Sequence, residues 1–256
     1  MSEEVKRNYL EINSLQDLKE GNKPSEDYSL SLIDPINFQL NKFFYKTIGK
    51  NHKWVDRLSW SEEKWVVIFS HPKNFTPVCT TELGSLQKIK KSFDERNVKI
   101  LGLSVDPVED HEKWSKDIED VTGYKPDYPL IGDKNLEISK IYGMLPASTS
   151  GDYKNRTAVD NQTVRNVFII SPDKKIKLIL SYPMSTGRNF DEIVRVIDSL
   201  KLTASHKVAT PANWKKGDNV IIVPAVKDDE AKKLFPDGWK TVKPYIREVK
   251  HQDIEK

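Results

Sequence analysis

Through the middle of the chain, short apolar runs alternate with apolar residues at helical spacing. Trp65-Val66-Val67-Ile68-Phe69 is an uninterrupted apolar run, the pattern of a strand covered on both faces. Leu83, Leu86, Ile89 and Phe93 follow at helical spacing, and Val98-Lys99-Ile100-Leu101-Gly102-Leu103-Ser104-Val105 is a second strand-like run. The pattern therefore predicts a βαβ unit, with a strand over 64–70, a helix over 78–96 and a strand over 98–105. A helix is expected over 107–121, with Pro107 at its start, where a missing N–H costs little, and Trp114 and Ile118 on its inner face. Pro129-Leu130-Ile131 reads as a short buried strand and 134–142 as a further helix. Residues 144–163 are rich in Ser, Thr, Asp, Asn and Gly and read as a loop. Two strands, 164–171 and 176–182, flank the turn Pro172-Asp173-Lys174-Lys175 as a β-hairpin. Phe190, Ile193, Val194, Ile197 and Leu200 form one face of a helix. The order βαβ and then ββα predicts an α/β fold with a central mixed sheet flanked by helices.

The two ends differ from this middle. Residues 1–30 form a polar extension, in which Leu10, Ile12, Leu15 and Leu18 allow one short amphipathic helix before a break at Gly21-Asn22-Lys23-Pro24-Ser25. Beyond Leu202 short elements alternate with turns, including a strand at Val220-Ile221-Ile222-Val223 and one or two helical turns over 230–235. The expected domains are the extension 1–30, a main domain 31–202 and a small C-terminal domain 203–256. No internal repeat is evident.

Composition narrows the classes of function. Lys and Arg total 41 against 38 Asp and Glu, and no basic block with interleaved aromatics forms a nucleic-acid stripe. No apolar run approaches the ~20 residues of a membrane helix, so no membrane span is expected. The N-terminus lacks the apolar core of a secretory signal and carries Glu3, Glu4, Glu11, Asp17 and Glu20, whereas transit peptides are poor in acids. A cytoplasmic location is expected, with the mitochondrion as the alternative.

Cys79 is the only cysteine among 256 residues. An intrachain disulfide, a Cys-x-x-Cys redox pair and a multi-cysteine zinc site are thereby excluded. An isolated cysteine is most often a small core residue. This one falls at the turn from strand to helix, where unpaired N–H groups and the helix dipole favour thiolate over thiol. Its flanks, Pro72, Thr76, Pro77, Thr80 and Thr81, constrain the approach and surround the sulfur with hydroxyls, which a core cysteine does not need.

Pro72-x-x-x-Thr76-x-x-Cys79 matches the Pro-x-x-x-Thr-x-x-Cys signature of peroxiredoxins. The longer string from His71 through Phe75-Thr76-Pro77-Val78-Cys79-Thr80-Thr81-Glu82 resembles their one-cysteine subfamily, and the resemblance extends over about 34–247. It implies a thioredoxin-like fold with a small C-terminal domain, a homodimer, and reduction of hydrogen peroxide and small organic hydroperoxides without a cofactor or metal. In that chemistry Cys79 is the nucleophile and becomes a sulfenic acid. Thr76 offers a hydroxyl that both donates and accepts, or caps the helix, and Pro72 walls the pocket without an N–H to compete. Arg165 matches the family's active-site arginine, a fixed cation able to hold a developing oxyanion. His71 is expected either near the sulfur or as a packed histidine, Glu82 as a first-turn carboxylate orienting arginines, and Arg188 as a supporting residue. With no second cysteine, the resolving thiol must be external: glutathione, thioredoxin or a similar reductant.

Two other functions compete. A redox sensor or holdase relaying oxidation to partner proteins would use the same Cys79. The resemblance also raises a phospholipase A2-type side activity, but Lys64 stands where its serine is expected, no Gly-x-Ser-x-Gly elbow is present, and Asp173, which matches its aspartate, is accounted for as a turn residue.

Overall fold

The computed structural model describes strands 44–48 and 54–56 and residues 63–145, 149, 154–161, 165–173 and 175–254. The N-terminal extension with its expected helix lies outside the described residues, as do the segment 34–38 and parts of the 144–163 loop. The described residues pack as two compact units that divide between Arg188 and Asn189. This places the helix beginning at Phe190 in the second unit, where the sequence pattern continues the main domain to residue 202.

The first unit is built on a sheet with strands β1 (Phe44–Ile48), β2 (Trp54–Asp56), β3 (Trp65–Ser70), β4 (Val98–Ser104), β5 (Leu130–Gly132), β6 (Asn166–Ile170) and β7 (Ile176–Ser181), in the order β2-β1-β5-β4-β3-β6-β7. β3, β4 and β5 are parallel, while β6 and β7 are antiparallel additions. β1 and β2 fall in a stretch for which the sequence pattern predicts no element. Three helices belong to this unit: α1 (Pro77–Asp94), α2 (Val108–Thr122) and α3 (Glu137–Ile141).

The continuous apolar runs become the central strands because both of their faces are covered. All six residues of β3 and all five of β6 are buried. Val66, Ile68, Leu101, Leu103, Ile131, Phe168 and Ile170 share one core cluster with Leu136, Ile138, Tyr142 and Met144. The remaining inward residues include Phe69, which meets Tyr128 edge-on at 5.6 Å. α1 packs on α2 and β4, and α2 packs on β5.

This topology decides where a site can form. β3 and β4 both end at the same edge of the sheet, at Ser70 and Ser104, and the antiparallel β6 begins there at Asn166. The carboxyl ends of parallel strands are the usual location of sites in open α/β sheets. Here they gather buried polar residues, among them His71, Asn74, Ser104, Asp106, Arg165 and Asn166.

The second unit begins with α4 (Phe190–Ser205), whose N-cap Asn189 accepts hydrogen bonds from the N–H groups of Asp191 and Glu192. β8 (Val208–Ala209), β9 (Val220–Ile222), β10 (Lys240–Lys243) and β11 (Ile246–Val249) form a sheet in the order β10-β11-β9-β8, and α5 spans Asp228–Leu234. Its own core includes Leu202, Val208, Trp214, Val220, Ile222, Ala231 and Phe235. β8, β10 and β11 are too short or too exposed to leave an apolar period; all four residues of β10 are exposed.

One close approach ties β5 to the segment that follows β4. A Cβ added at Gly132 would stand 2.6 Å from the backbone N of Val108 and 2.8 Å from the carbonyl O of Asp106. Backbone cannot swing aside as a side chain can. Gly132→Ala is therefore expected to cost about 1–3 kcal/mol, as for other overpacked sites, measured by urea unfolding; wild-type stability in the variant would show that this segment is free to shift.

Candidate active site

Cys79 lies in the first turn of α1 and is buried, with 1% of its surface exposed. Thr76 occupies the N-cap position and Pro77 the first helical position, where proline's fixed φ and missing N–H suit a helix start. The Thr76 side chain does not cap the helix. Its hydroxyl donates to the carbonyl of Lys73 at 2.8 Å, so its single hydrogen is committed to the loop and its lone pairs remain to accept. Its carbonyl accepts from both the N–H and the hydroxyl of Thr80, at 3.0 and 2.8 Å, and the Trp114 indole donates to that hydroxyl at 3.1 Å. Trp114 thus fastens the turn that carries the cysteine.

Arg165 reaches the sulfur from just before β6. Its Nη2 donates to Cys79 Sγ at 3.6 Å and to the Met184 carbonyl at 2.9 Å, and its Nη1 is bonded to Glu82 Oε2. Glu82 is in the second turn of α1 rather than the first, because the helix already begins at Pro77; one turn beyond the cysteine, it projects on the same helix face. Arg188 grips the same carboxylate as a fork, with Nε to Oε1 at 2.9 Å and Nη2 to Oε2 at 2.8 Å, and its backbone N–H adds a bond to Oε1 at 2.8 Å. Its Nη1 donates to the carbonyls of Ser70 and Asn166 at 2.8 and 3.0 Å, and the guanidinium lies 5.4 Å from the Phe69 ring centroid. Two guanidiniums and one carboxylate, all nearly excluded from water, carry a formal net positive charge beside the sulfur.

Pro72 is buried. His71 is fully buried; its Nε2 pairs with Asn74 Oδ1 at 2.9 Å, and its ring packs 5.1 Å from that of Trp114. Burial first, and then the positive charges of Arg188 and Arg165, push its pKa down to about 3 against the opposing bond to Asn74. His71 is therefore neutral throughout the physiological range. The structure brings together Cys79, Arg165, Glu82 and Arg188 through direct bonds, with Thr76 and His71 joined to the same helix start through Lys73, Asn74 and Trp114.

Sequence reasoning missed Asn74, Ser104, Asp106 and His111, a buried hydrogen-bonded group under the loop. The signal available was position: Ser104-x-Asp106 ends β4, and His111 and Trp114 stand three apart on α2. In the stretch weighed for lipase chemistry, Lys64 immediately precedes β3. Asp173 bonds to the Ser171 hydroxyl and accepts from the N–H of Lys175 within the β6–β7 turn. Among the described residues no group of three or more His, Cys, Asp or Glu is placed to hold a metal ion, and no helix is long and apolar enough to cross a membrane.

Residues 36–179 match the model of the AhpC/TSA family, and residues 199–238 match the C-terminal domain of 1-Cys peroxiredoxin. The 1-Cys peroxiredoxin of Dictyostelium discoideum is 47% identical over 203 residues, covering 79% of this chain and 75% of that protein. The chain belongs to the 1-Cys peroxiredoxins. Peroxiredoxin-6 of Rattus norvegicus is 51% identical over 180 residues, covering 69% of this chain and 78% of its own. A solved yeast mitochondrial 1-Cys peroxiredoxin superimposes with a TM-score of 0.78 at 42% identity, covering 85% of this chain and all of the other. The fold is accordingly the thioredoxin-like peroxiredoxin fold, and this 1-Cys peroxiredoxin is a thiol peroxidase with a single cysteine.

The buried histidines couple stability to pH. His111 is also held well below 6.5, by burial first and then by His71, against the pull of Glu109. Both histidines resist protonation in the folded state and accept it once unfolded. Their contribution is intact above about pH 6.5 and is lost as pH falls toward the folded values. Between pH 6 and 5, His71→Gln is expected to flatten the fall in unfolding free energy by about 1 kcal/mol per pH unit relative to the parent. Urea titrations at both pH values measure this, and equal slopes would show that His71 gains a proton without unfolding.

Proposed function

We propose that Cys79 reduces hydrogen peroxide and small organic hydroperoxides, with Thr76, Pro72 and Arg165 as its immediate partners. The bond from Arg165 Nη2 to the sulfur, held by Glu82, is the observation that carries this reading. The Cys79 thiolate attacks the terminal oxygen of the hydroperoxide, an S–O bond forms and the O–O bond breaks. The sulfur keeps the hydroxyl as a sulfenic acid, and the departing hydroxide or alkoxide takes a proton from solvent. Thr76 Oγ1, with its hydrogen committed to Lys73, accepts from the incoming hydroperoxide O–H. Arg165 donates toward the oxygens on which negative charge builds. Pro72 closes the wall of the pocket. Glu82 and Arg188 hold Arg165 in place, and His71 acts as a neutral packed residue through Asn74 and Trp114.

The sulfenic acid is returned to the thiol by an external reductant. One thiol displaces water to give a mixed disulfide with Cys79, and a second releases it. The yeast relative is described as resolved through glutathione and thioredoxin systems, which supports a reductant of that class here. The remainder of the reading is a homodimer in the cytoplasm, with the mitochondrion as the alternative, and a chain divided into the extension 1–30, the peroxidase domain 31–202 and the C-terminal domain 203–256.

The test is to mix the reduced protein rapidly with one equivalent of hydrogen peroxide and trap the product with a sulfenic-acid reagent. Cys79 is expected to oxidise at least about 10²-fold faster than free cysteine, the scale of one well-placed oxyanion donor, and Cys79→Ser is expected to lose turnover while keeping its fold. A rate near that of free cysteine, or turnover surviving in Cys79→Ser, would overturn the assignment.

A further inference from the structure

Beneath the loop that precedes Cys79 lies a group of buried polar side chains bonded to one another. Asn74 is 3% exposed and is held from two sides. Its N–H donates to Asp106 Oδ2 at 2.6 Å, and its Oδ1 pairs with His71 Nε2 at 2.9 Å. Ser104 Oγ, fully buried at the end of β4, stands 3.2 Å from the same Asp106 oxygen and 3.5 Å from Asn74 Oδ1. The serine oxygen in turn accepts from the Asp106 N–H at 3.0 Å and lies 2.9 Å from His111 Nε2. The single Ser104 hydrogen serves either His111 Nε2 or the Asp106 carboxylate, according to the His111 tautomer. The carboxylate receives the Asn74 N–H, and Ser104 stands between that carboxylate and His111.

A serine, a histidine and an aspartate in contact invite comparison with a hydrolytic triad, but the order is wrong. The carboxylate bonds to the serine, whereas a triad needs it on the far nitrogen of the histidine. Ser104 also has no exposed surface. The group has a different consequence. Immediately after Asn74, Phe75 adopts φ +55°, a left-handed conformation that is strained for a non-glycine residue. Such strain persists where the surroundings over-determine it. Here the clamp on Asn74 comes from one side, and contact of the Phe75 ring with Trp114 at 6.2 Å comes from the other. The next residue is Thr76.

We propose that Asp106 is a positioning residue for the peroxide: its carboxylate clamps the backbone of Asn74 and so fixes the Pro72–Thr76 segment over Cys79, while Ser104 and His111 aim the carboxylate. Asp106 does not touch the reacting atoms. Its action is on where the hydroperoxide sits, through Thr76 and Pro72, and not on the sulfur. The inference rests on the roles given above to Thr76 and Cys79.

Two reactions of the same sulfur separate these effects. Hydrogen peroxide needs the oriented pocket, and iodoacetamide needs only an accessible thiolate. In Asp106→Ala the rate constant for peroxide is expected to fall about 10–100-fold, the scale of a small misplacement of reacting groups, with alkylation within about threefold of the parent. Asp106→Asn keeps an oxygen that accepts from the Asn74 N–H and is expected to recover most of the peroxide rate. Ser104→Ala, which unfastens the carboxylate without removing it, is expected to show a smaller fall of the same selectivity, and it carries the test if Asp106→Ala does not fold. A parallel loss of both reactions, no loss of either, or no recovery in Asp106→Asn would overturn the proposal. Failure of the peroxidase assignment itself would be separate, since the parent would then react with peroxide no faster than free cysteine.

Discussion

The site depends on one buried carboxylate shared between two arginines. Glu82 receives Arg165 on one oxygen and a fork from Arg188 across both. Taking three charged groups out of water is costly, and removing one member of such a buried set leaves the others uncompensated, at about 3–5 kcal/mol. Other donors of the two guanidiniums are also used, which offsets part of this cost: Arg188 bonds to the ends of β3 and β6 through the carbonyls of Ser70 and Asn166, and Arg165 to Met184, although Arg165 Nε is buried without a hydrogen-bond partner. The return for that cost is a guanidinium that cannot swing away from the sulfur. A helix start alone supplies only partial charge; a fixed cation supplies directed donors as well.

The loop before the helix is governed from the opposite side of Cys79. Asn74, Phe75 and Thr76 are successive residues with three different constraints: a clamp to the end of β4, a strained φ, and a hydroxyl turned back to Lys73. Trp114 connects them, bonding to Thr80 in the helix and packing against both His71 and Phe75. Sulfur and cation are therefore set by β3, β6 and α1, whereas the loop before the helix is held by β4 and α2. The sheet topology, which brings the ends of β3 and β4 together beside the start of β6, makes this division possible.

The central elements were legible because burial on both faces leaves uninterrupted apolar runs, as in β3 and β6, and because α1 and α2 keep a helical period. β1, β2, β8, β10 and β11 were not, since short or exposed strands are stabilised by pairing rather than by a periodic apolar face. At the candidate site, a signature of local spacing singled out Cys79, Thr76 and Pro72. Arg165 and Arg188 were singled out through resemblance, as nothing in their own neighbourhoods marks them. The group around Asp106 left only a positional trace: its members come from the β3–α1 loop, the end of β4 and the first turn of α2, and the three-dimensional register assembles them. The turn of α1 that carries Glu82 was misjudged by one because the helix begins two residues before the cysteine.

If the carboxylate is what keeps the cation on the sulfur, neutralising it in place should disable the chemistry without touching either. The most direct measurement is the rate of Cys79 oxidation by one equivalent of hydrogen peroxide in Glu82→Gln, compared with the unsubstituted protein. An amide of the same shape cannot hold two guanidiniums, so a fall of about 10²-fold or more is expected, comparable to loss of an oxyanion donor. A folded Glu82→Gln variant that oxidises at the parent rate would show that Arg165 needs no anchor, and would contradict the account.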